Sequence, residues 1–393
     1  MKILSVNAGS SSLKFKLYEM PEEKGLISGV FEKIGLEDSF YTIKYENEKI
    51  KKEVPLKDHE VAFKILIDEL VENGVIDSLD DIKGIGHRIV QGGSYFDQSV
   101  LVDDSVISKI DELSLLAPLH NPAAIVGIRA AQSVIKNAKH VTVFDTAFHQ
   151  TMPEENYLYA LPYELYEEYG IRRYGAHGTS HKYVSLKMNE ILGRYNTKLI
   201  TCHIGNGASI SAIIDGKCVN TSMGLTPNAG LIMGTRCGDI DASIIPYIME
   251  KKKLTPKDVD KLINKESGLY GISGVSSDSR DIEEGIHKGN ERCALAQKMF
   301  VKRIVDYIAK YYVEMQGCDA IVFTAGIGEN SISTRREVLD SLKVLGIEID
   351  DEKNNTRGEE ICITKSSSKI SVYVIPTDEE LMIARDTYNI IER

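Results

Sequence analysis

The residues of this chain best suited to chemistry follow short apolar runs. "SVNAGSSSLKF" (5–15) sets Asn7, Gly9, Ser10, Ser11, Ser12 and Lys14 around a turn that two strands could make with a couple of residues. "HRIVQGG" places Arg88 just before the end of a strand-like run, and "VTVFDTAFH" puts Asp145 at the tip of another. "CHIGNGAS" presents His203, Ile204, Gly205, Asn206 and Gly207, and "VFTAGIGEN" presents Gly326, Ile327, Gly328, Glu329 and Asn330. "VIPTDEEL" ends the last run with Thr377, Asp378, Glu379 and Glu380. In α/β sheets, ligands gather beyond the carboxyl ends of strands. Glycine there lets backbone N–H groups close on a phosphate and form an anion-binding nest. Three such loops point to a polyphosphate gripped between two domains. None is a Walker A loop, and "GNGASI" does not complete G-x-G-x-x-G, so a nicotinamide dehydrogenase is disfavoured.

Each signal also has a plainer reading. A Gly-rich turn after a strand is often only a turn, and a cap for the next element is the lesser reading of Asp145. Thr377 with Glu380 fits the capping box S/T-x-x-E, which makes Glu380 structural and leaves Glu379 unassigned. His140 and His149 flank a strand and read as surface or packing residues. Arg172 and Arg173 beside Tyr174 read as a surface pair.

The elements that must position these groups form a repeat. "KILSVNAGSSSLKFKLYE" (2–19) overlays "KLITCHIGNGASISAIIDG" (198–216) without a gap, at half the chain length. Each copy has a Lys, an apolar strand, a polar residue (Asn7 or His203), a Gly/Ser/Asn turn and an alternating strand, which implies two related domains. "TIKYENEKIKKEV" (42–54) reads as a hairpin with a polar tip. "DHEVAFKILIDELVENG" (58–74), 181–192 and 291–315 read as helices. Strand-like runs recur at 83–90, 140–145, 198–203, 319–324 and 369–375, so the chain is α/β. "DDEKNNTRGEE" (350–360) reads as a solvated loop without a function.

At 393 residues, 42% hydrophobic and 27% charged, the chain suits two soluble domains. A net charge of −11 argues against a nucleic-acid partner but leaves room for a local arginine site that takes a small anion. No apolar run approaches the ~20 residues needed to cross a membrane, and the N-terminus does not read as a signal peptide. The six cysteines (202, 218, 237, 293, 318, 362) lack zinc or C-x-x-C spacing and read as buried free thiols in a reducing compartment, by default the cytoplasm.

Ten motifs then resemble the acetate kinase family, in family order from residue 7 to 387: "NAGSSSLKF" (7–15), "HRIVQGG" (87–93), "APLHNP" (117–122), "FDTAFH" (144–149), "RRYGAHGTSH" (172–181), "TCHIGNGAS" (201–209), "TSMGLTP" (221–227), "MGTRCGDID" (233–241), "FTAGIGENS" (323–331) and "VIPTDEELMIARDT" (374–387). The resemblance implies two duplicated ribonuclease-H-like, actin-type ATPase domains, 1–148 with 380–393 and 149–379, with nucleotide in the interdomain cleft. It implies the reaction ATP + acetate ⇌ ADP + acetyl phosphate, with Mg²⁺ (Mn²⁺ as a substitute) and a homodimer. Propionate or butyrate kinase on the same scaffold is the alternative, and a non-kinase ATPase or chaperone of the same superfold is the alternative of another class.

The family match also implies roles. Arg88 orients acetate, with Val90, Leu119, Pro227 and the position of Ala176 around the methyl group. Arg236 stabilises the phosphoryl group in flight and His177 is a transition-state donor; His120 and His203 are lesser histidines near the same site. Asp145 organises the metal and its waters, since a carboxylate acceptor is already ionised at neutral pH and needs no general base. Asn7 and Glu379 are metal-associated. Lys14, His203–Gly207, the triplet Asp278, Ser279 and Arg280, and Gly326–Asn330 contact ATP. Ala176 is small where relatives carry Phe, which leaves room for an extra methylene. Ser279 replaces an aromatic residue of some relatives, Gln91 stands where a His often begins "HGG", and Ala229 stands where Glu often does.

Overall fold

The computed structural model describes residues 1–46 and 48–393. The chain divides into two compact units, one of Met1–Gln150 with Asp378–Arg393 and one of Thr151–Thr377. This division puts Glu379 in the first unit, with Arg88 and Asp145.

The first unit is built on β1 (Lys2–Gly9), β2 (Ser12–Glu19), β3 (Lys24–Glu32), β4 (Phe40–Tyr45), β5 (Glu48–Glu53), β6 (Ile82–Ile89), β7 (Val100–Leu101) and β8 (Lys139–Phe144). Their order in one sheet is β5-β4-β3-β2-β1-β6-β8-β7. β1 is central, and Ile3, Leu4 and Val6 are all essentially inaccessible, as expected of a strand covered on both faces. β5 ends the sheet with "EKIKKE", whose charges discourage pairing with another chain. β4 and β5 are the hairpin read at 42–54; its Asn47 lies outside the described residues.

The helix Glu379–Ile391 seats on this sheet because β6 carries glycine where the helix passes. A Cβ on Gly84 would stand 2.2 Å from Ile391 Cδ1, and one on Gly86 would stand 2.3 Å from Thr387 Oγ1. This helix is thereby fastened across β1, β6 and β8, which brings Glu379 to the strand ends. Arg385 adds two charge-assisted bonds to Glu23, at 2.6 and 2.7 Å.

The second unit holds β9 (Lys198–Ile204), β10 (Ala208–Ile214), β11 (Lys217–Thr221), β12 (Ala320–Thr324), β13 (Ile361–Cys362) and β14 (Ser371–Val374), ordered β11-β10-β9-β12-β14-β13. The half-length repeat is now visible as structure. β1–β2 and β9–β10 are both antiparallel hairpins, and their leading strands begin at the aligned Lys2 and Lys198. Each leading strand then pairs in parallel, β1 with β6 and β9 with β12, and a second parallel neighbour follows, β8 or β14. Against the second sheet lies the helix Glu291–Glu314, which buries Phe300, Ile304, Ile308 and Tyr311 along one stripe.

Three sequence readings are corrected. Residues 350–360 are not a free loop: they include the short helix Asp351–Asn354, and Asn354 and Thr356 are buried. The fully buried Arg335 holds this segment, donating to the Asn354 side chain and to the carbonyls of Asn354, Thr356 and Gly328 at 2.8–2.9 Å. Arg172 and Arg173 are not a surface pair. Arg172 is buried with its guanidinium 3.6 Å from the Tyr157 ring centroid, and Arg173 donates to the carbonyls of Thr221, Ser222 and Met223. Lastly, Cys202, Cys218 and Cys293 are buried, but Cys237, Cys318 and Cys362 are only half-buried; all six are free thiols.

Candidate active site

In the first unit, parallel pairing places Arg88 and Asp145 side by side. Arg88 stands opposite Val143 and Ile89 opposite Phe144, and the Asp145 N–H continues the ladder to the Ile89 carbonyl at 2.9 Å. The Arg88 side chain then grips Asp145 edge-on, Nη2 to Oδ2 at 2.7 Å and Nε to Oδ2 at 3.1 Å. Asp145 is fully buried. Burial disfavours the Arg88 cation, but the charges of Asp145 and Glu379 outweigh it and hold the guanidinium firmly protonated.

Glu379 opens the C-terminal helix close to this pair. Its Oε1 is buried and has no hydrogen-bond partner among the described residues. Burial pushes its pKa up to about 7; Arg88 opposes the shift, and Asp145 and Glu380 add to it. The cap of this helix differs from the sequence reading. Asp378, not Thr377, is the N-cap: its Oδ1 accepts from the Leu381 N–H at 2.9 Å and from Tyr18 Oη at 2.8 Å, while Oδ2 accepts from Lys16 Nζ at 2.9 Å. Glu380 is instead ion-paired with Lys14. Lys14 stands opposite Asn7 in the β1–β2 register. Val90 is half-buried, and Leu119 and His120 are exposed ahead of the helix Asn121–Val134.

In the second unit, His177 adopts φ +60°, a left-handed conformation that is strained for a residue with a side chain, just before the helix Gly178–Leu192. Its ring stacks on His203 with centroids 4.1 Å apart. His203 Nδ1 lies 2.8 Å from Ser180 Oγ, which in turn lies 2.9 Å from Thr377 Oγ1. Arg236 donates to the Pro227 carbonyl at 2.7 Å and has no carboxylate partner among the described residues. The two donors converge on Gly207: a Cβ placed there would be 3.5 Å from His177 Nε2 and 3.6 Å from Arg236 Nη2. Ala176 is buried in the core of this unit and Pro227 is half-buried.

Beside this point opens a cavity of about 560 Å³. Gly205, Asn206, Asp278, Ser279, Arg280, Gly326, Ile327 and Asn330 line it, together with Ser277, Glu283, Ser331 and Arg357, which the sequence reading missed. Arg357 lay inside the segment read as a functionless loop. Its signal was a lone Arg in a polar run, and only the Arg335 anchor turns it toward the pocket. Other residues read as nucleotide contacts stand elsewhere. Ile204 belongs to the apolar core, and Gly328 packs near the Cys202 carbonyl and Phe323. Glu329 is occupied structurally, accepting from the backbone N–H groups of Ala325 at 2.8 Å and Thr377 at 3.1 Å. No cluster of three His, Cys, Asp or Glu suited to a metal occurs among the described residues.

Comparison with known proteins follows the same lines. Residues 2–385 match the model of the acetokinase family. The chain is 55% identical to acetate kinase of Bacillus velezensis over 393 residues, all of both chains, and 55% identical to that of Bacillus subtilis over 98% of each. Among solved structures, Porphyromonas gingivalis acetate kinase is 47% identical with a TM-score of 0.94, and a propionate kinase from Francisella tularensis is 44% identical with a TM-score of 0.94; each alignment covers 99% of both chains. The two like sheets, one per unit, are the duplicated actin-like ATPase fold.

Proposed function

Because this chain belongs to the acetokinase family, we infer that it is an acetate-phosphorylating kinase, a phosphotransferase that moves the terminal phosphoryl group of ATP to the acetate carboxylate and back. The observation that carries the reading is the approach of His177 Nε2 and Arg236 Nη2 to Gly207, beside a cavity of nucleotide size whose wall includes Gly205 and Gly326. Phosphoryl transfer asks a protein for position and charge rather than covalent help. Arg236, without a carboxylate partner among the described residues, is a largely desolvated cation ready for the equatorial oxygens of the moving group. His177 supplies a second donor. Removing one such fixed donor costs about 2.7–4 kcal/mol, or roughly 10²–10³ in kcat.

The first unit handles the acceptor. Arg88 spends Nε and Nη2 on Asp145 and keeps Nη1 for the acetate carboxylate. Asp145 in turn fixes the plane of that guanidinium. The divalent cation of the reaction is Mg²⁺ in this reading, with Asp145, Glu379 and Asn7 to hold it. The orphaned, buried Glu379 Oε1 beside a second carboxylate fits such a guest, because Mg²⁺ needs only one or two carboxylates when phosphates and waters complete its shell. When bound, the cation neutralises charge on the phosphates. Lys14 and the cavity residues Gly205, Asn206, Asp278–Arg280, Gly326, Ile327 and Asn330 bind the nucleotide.

Acetate is the preferred acid and propionate a slower one. One methylene in an apolar pocket is worth only about 1–3 kcal/mol, so the longer acid is slowed rather than excluded. A homodimer is part of the same proposal: the helix Ile244–Lys252 buries no residue and leaves Ile244 and Tyr247 exposed. No helix among the described residues is long and apolar enough to cross a membrane, and a cytoplasmic site of action is proposed with it. The test is ATP-dependent acyl phosphate formation, trapped as hydroxamate, with acetate, propionate and butyrate in parallel. An acetate rate that dominates, vanishes with EDTA and returns with Mg²⁺ supports the reading. No product from any acid, with nucleotide binding intact, refutes it.

A further inference from the structure

Behind His177 the second unit buries a chain of three hydrogen bonds. Ser209 Oγ lies 2.9 Å from His177 Nδ1 and 2.8 Å from His181 Nε2, and Thr201 Oγ1 lies 2.7 Å from His181 Nδ1. Ser209, His181 and Thr201 are all fully buried. The chain joins three elements: the start of the helix Gly178–Leu192, where His177 and His181 are one turn apart, and the paired strands β9 and β10, where Thr201 and Ser209 share a face.

We propose that this Thr201–His181–Ser209 chain locks His177 in the tautomer that carries its proton on Nε2, which makes Ser209 and His181 positioning residues for the histidine that faces the phosphoryl group. The proposal rests on the reading of His177 as a donor to that group.

The direction of the chain follows from counting protons. A hydroxyl has one proton to give, and a neutral imidazole is a donor at one nitrogen and an acceptor at the other. Linked as they are here, the protons all point toward His177 or all point away. Thr201 decides between the two, because among the described residues its Oγ1 has His181 Nδ1 as its hydrogen-bond partner. If it accepted from His181, its own O–H would be stranded in the core; if it donates, only a lone pair is left idle, and a lost buried donor costs more. Thr201 therefore donates to His181 Nδ1. His181 must then carry its proton on Nε2 and give it to Ser209 Oγ, and Ser209 gives its own to His177 Nδ1. The His177 proton is left on Nε2, the nitrogen that lies near Gly207 beside Arg236 Nη2. A doubly protonated His181 would force Thr201 to accept and would set a charge among fully buried groups, which burial opposes. The strained φ of His177 and its stacking on His203 hold the ring where the chain can act on it.

The test reads the protons directly. Two-bond ¹⁵N–¹H spectra of the full-length, ¹⁵N-histidine-labelled protein report the tautomer of each ring, with His177 and His181 assigned by loss of their signals in H177Q and H181Q. Both rings are expected as the Nε2–H form in the wild type; Nδ1–H at either one overturns the proposal, whatever the variants do. In Ser209→Ala the chain no longer selects the His177 tautomer, and since rate follows the competent fraction, an even split lowers kcat about twofold with the KM for ATP unchanged. Ser209→Thr keeps the hydroxyl and restores both tautomer and rate. A Ser209→Ala enzyme with an unmoved His177 spectrum and full kcat refutes the chain as the cause. Wild-type activity in H177Q instead refutes the donor role of His177, and the spectra still decide the tautomer on their own.

Discussion

Replacing Arg88 by Ala separates the structural from the catalytic part of the arginine–aspartate pair. Asp145 is fully inaccessible and takes three hydrogen bonds from Arg88 at 2.7–3.3 Å. Removing the arginine strands a buried carboxylate, a change that costs about 3–5 kcal/mol. Asp145 has further interactions, so the lower end, about 3 kcal/mol, is expected. For a unit of this size that is a fall in Tm of roughly 6–12 °C. Asp145→Asn alone costs less, about 1 kcal/mol, because the Arg88 side chain keeps 21% of its surface in contact with solvent and can hydrate. In the double variant, with neutral groups at both positions, about 1 kcal/mol of the loss seen in Arg88→Ala returns, which corresponds to a coupling of about 2 kcal/mol, large for a neighbouring pair. Activity does not return, since neither the carboxylate clamp nor the metal-side carboxylate is restored. Thermal unfolding followed by circular dichroism, beside the hydroxamate assay, measures both axes of the cycle. If the double variant melts as low as Arg88→Ala, the stranded charge is not what destabilises it and the account of the pair is wrong. If the double variant recovers activity, the catalytic roles of both residues fall.

Three further outcomes are expected. Gly234→Ala places a Cβ 1.8 Å from Asn206 Oδ1 and 3.0 Å from the Ser277 carbonyl, so the KM for ATP should rise at least tenfold, about 1.4 kcal/mol, with little change in acetate KM; unchanged nucleotide affinity in a titration would count against Asn206 as a cavity wall. Asp378→Ala removes the cap of the C-terminal helix, worth about 0.5–2 kcal/mol, and should raise the Mg²⁺ concentration for half-maximal rate, while Asp378→Asn retains part of both; a loss of stability with unchanged Mg²⁺ dependence would separate the cap from Glu379. His87 and His140 form a buried pair, Nε2 to Nδ1 at 3.0 Å, and burial lowers both pKa values, that of His140 to about 4. Protons then bind the unfolded chain first, so stability is full above about pH 6.5 and is lost as pH falls toward 4, by about 3 kcal/mol for His140 alone; His140→Gln should flatten the fall in Tm between pH 7 and 5, and an unchanged slope would exclude His140 as its source.

The chain's own order determines much of this. The repeat from Lys2 to Lys198 was legible because each copy needs the same local pattern, an apolar strand, a turn that tolerates close backbone approach and an alternating strand, and such patterns survive in one dimension. The glycine loops behind β1, β9 and β12 were legible for the same reason, and so was the stripe of the helix 291–314. Partners were not. Arg88 and Asp145 are 57 residues apart, and only the parallel register of β6 and β8 joins them. The capping box at Thr377 and Glu380 has the right spacing, but Asp378 won the cap because Tyr18 and Lys16 of β2 reach its carboxylate, and Lys14 draws Glu380 away. Residues 350–360 are polar enough to read as solvated, yet a buried Arg335 gathers their carbonyls and turns Arg357 into a cavity wall. The same holds for Thr201, His181 and Ser209, three ordinary residues until a helix and two strands bring their hydroxyls and rings to hydrogen-bond distance. Local sequence fixes backbone pattern through periodicity and turn chemistry, whereas the pairing of buried polar groups depends on which elements pack and in what register, and only the folded chain decides that.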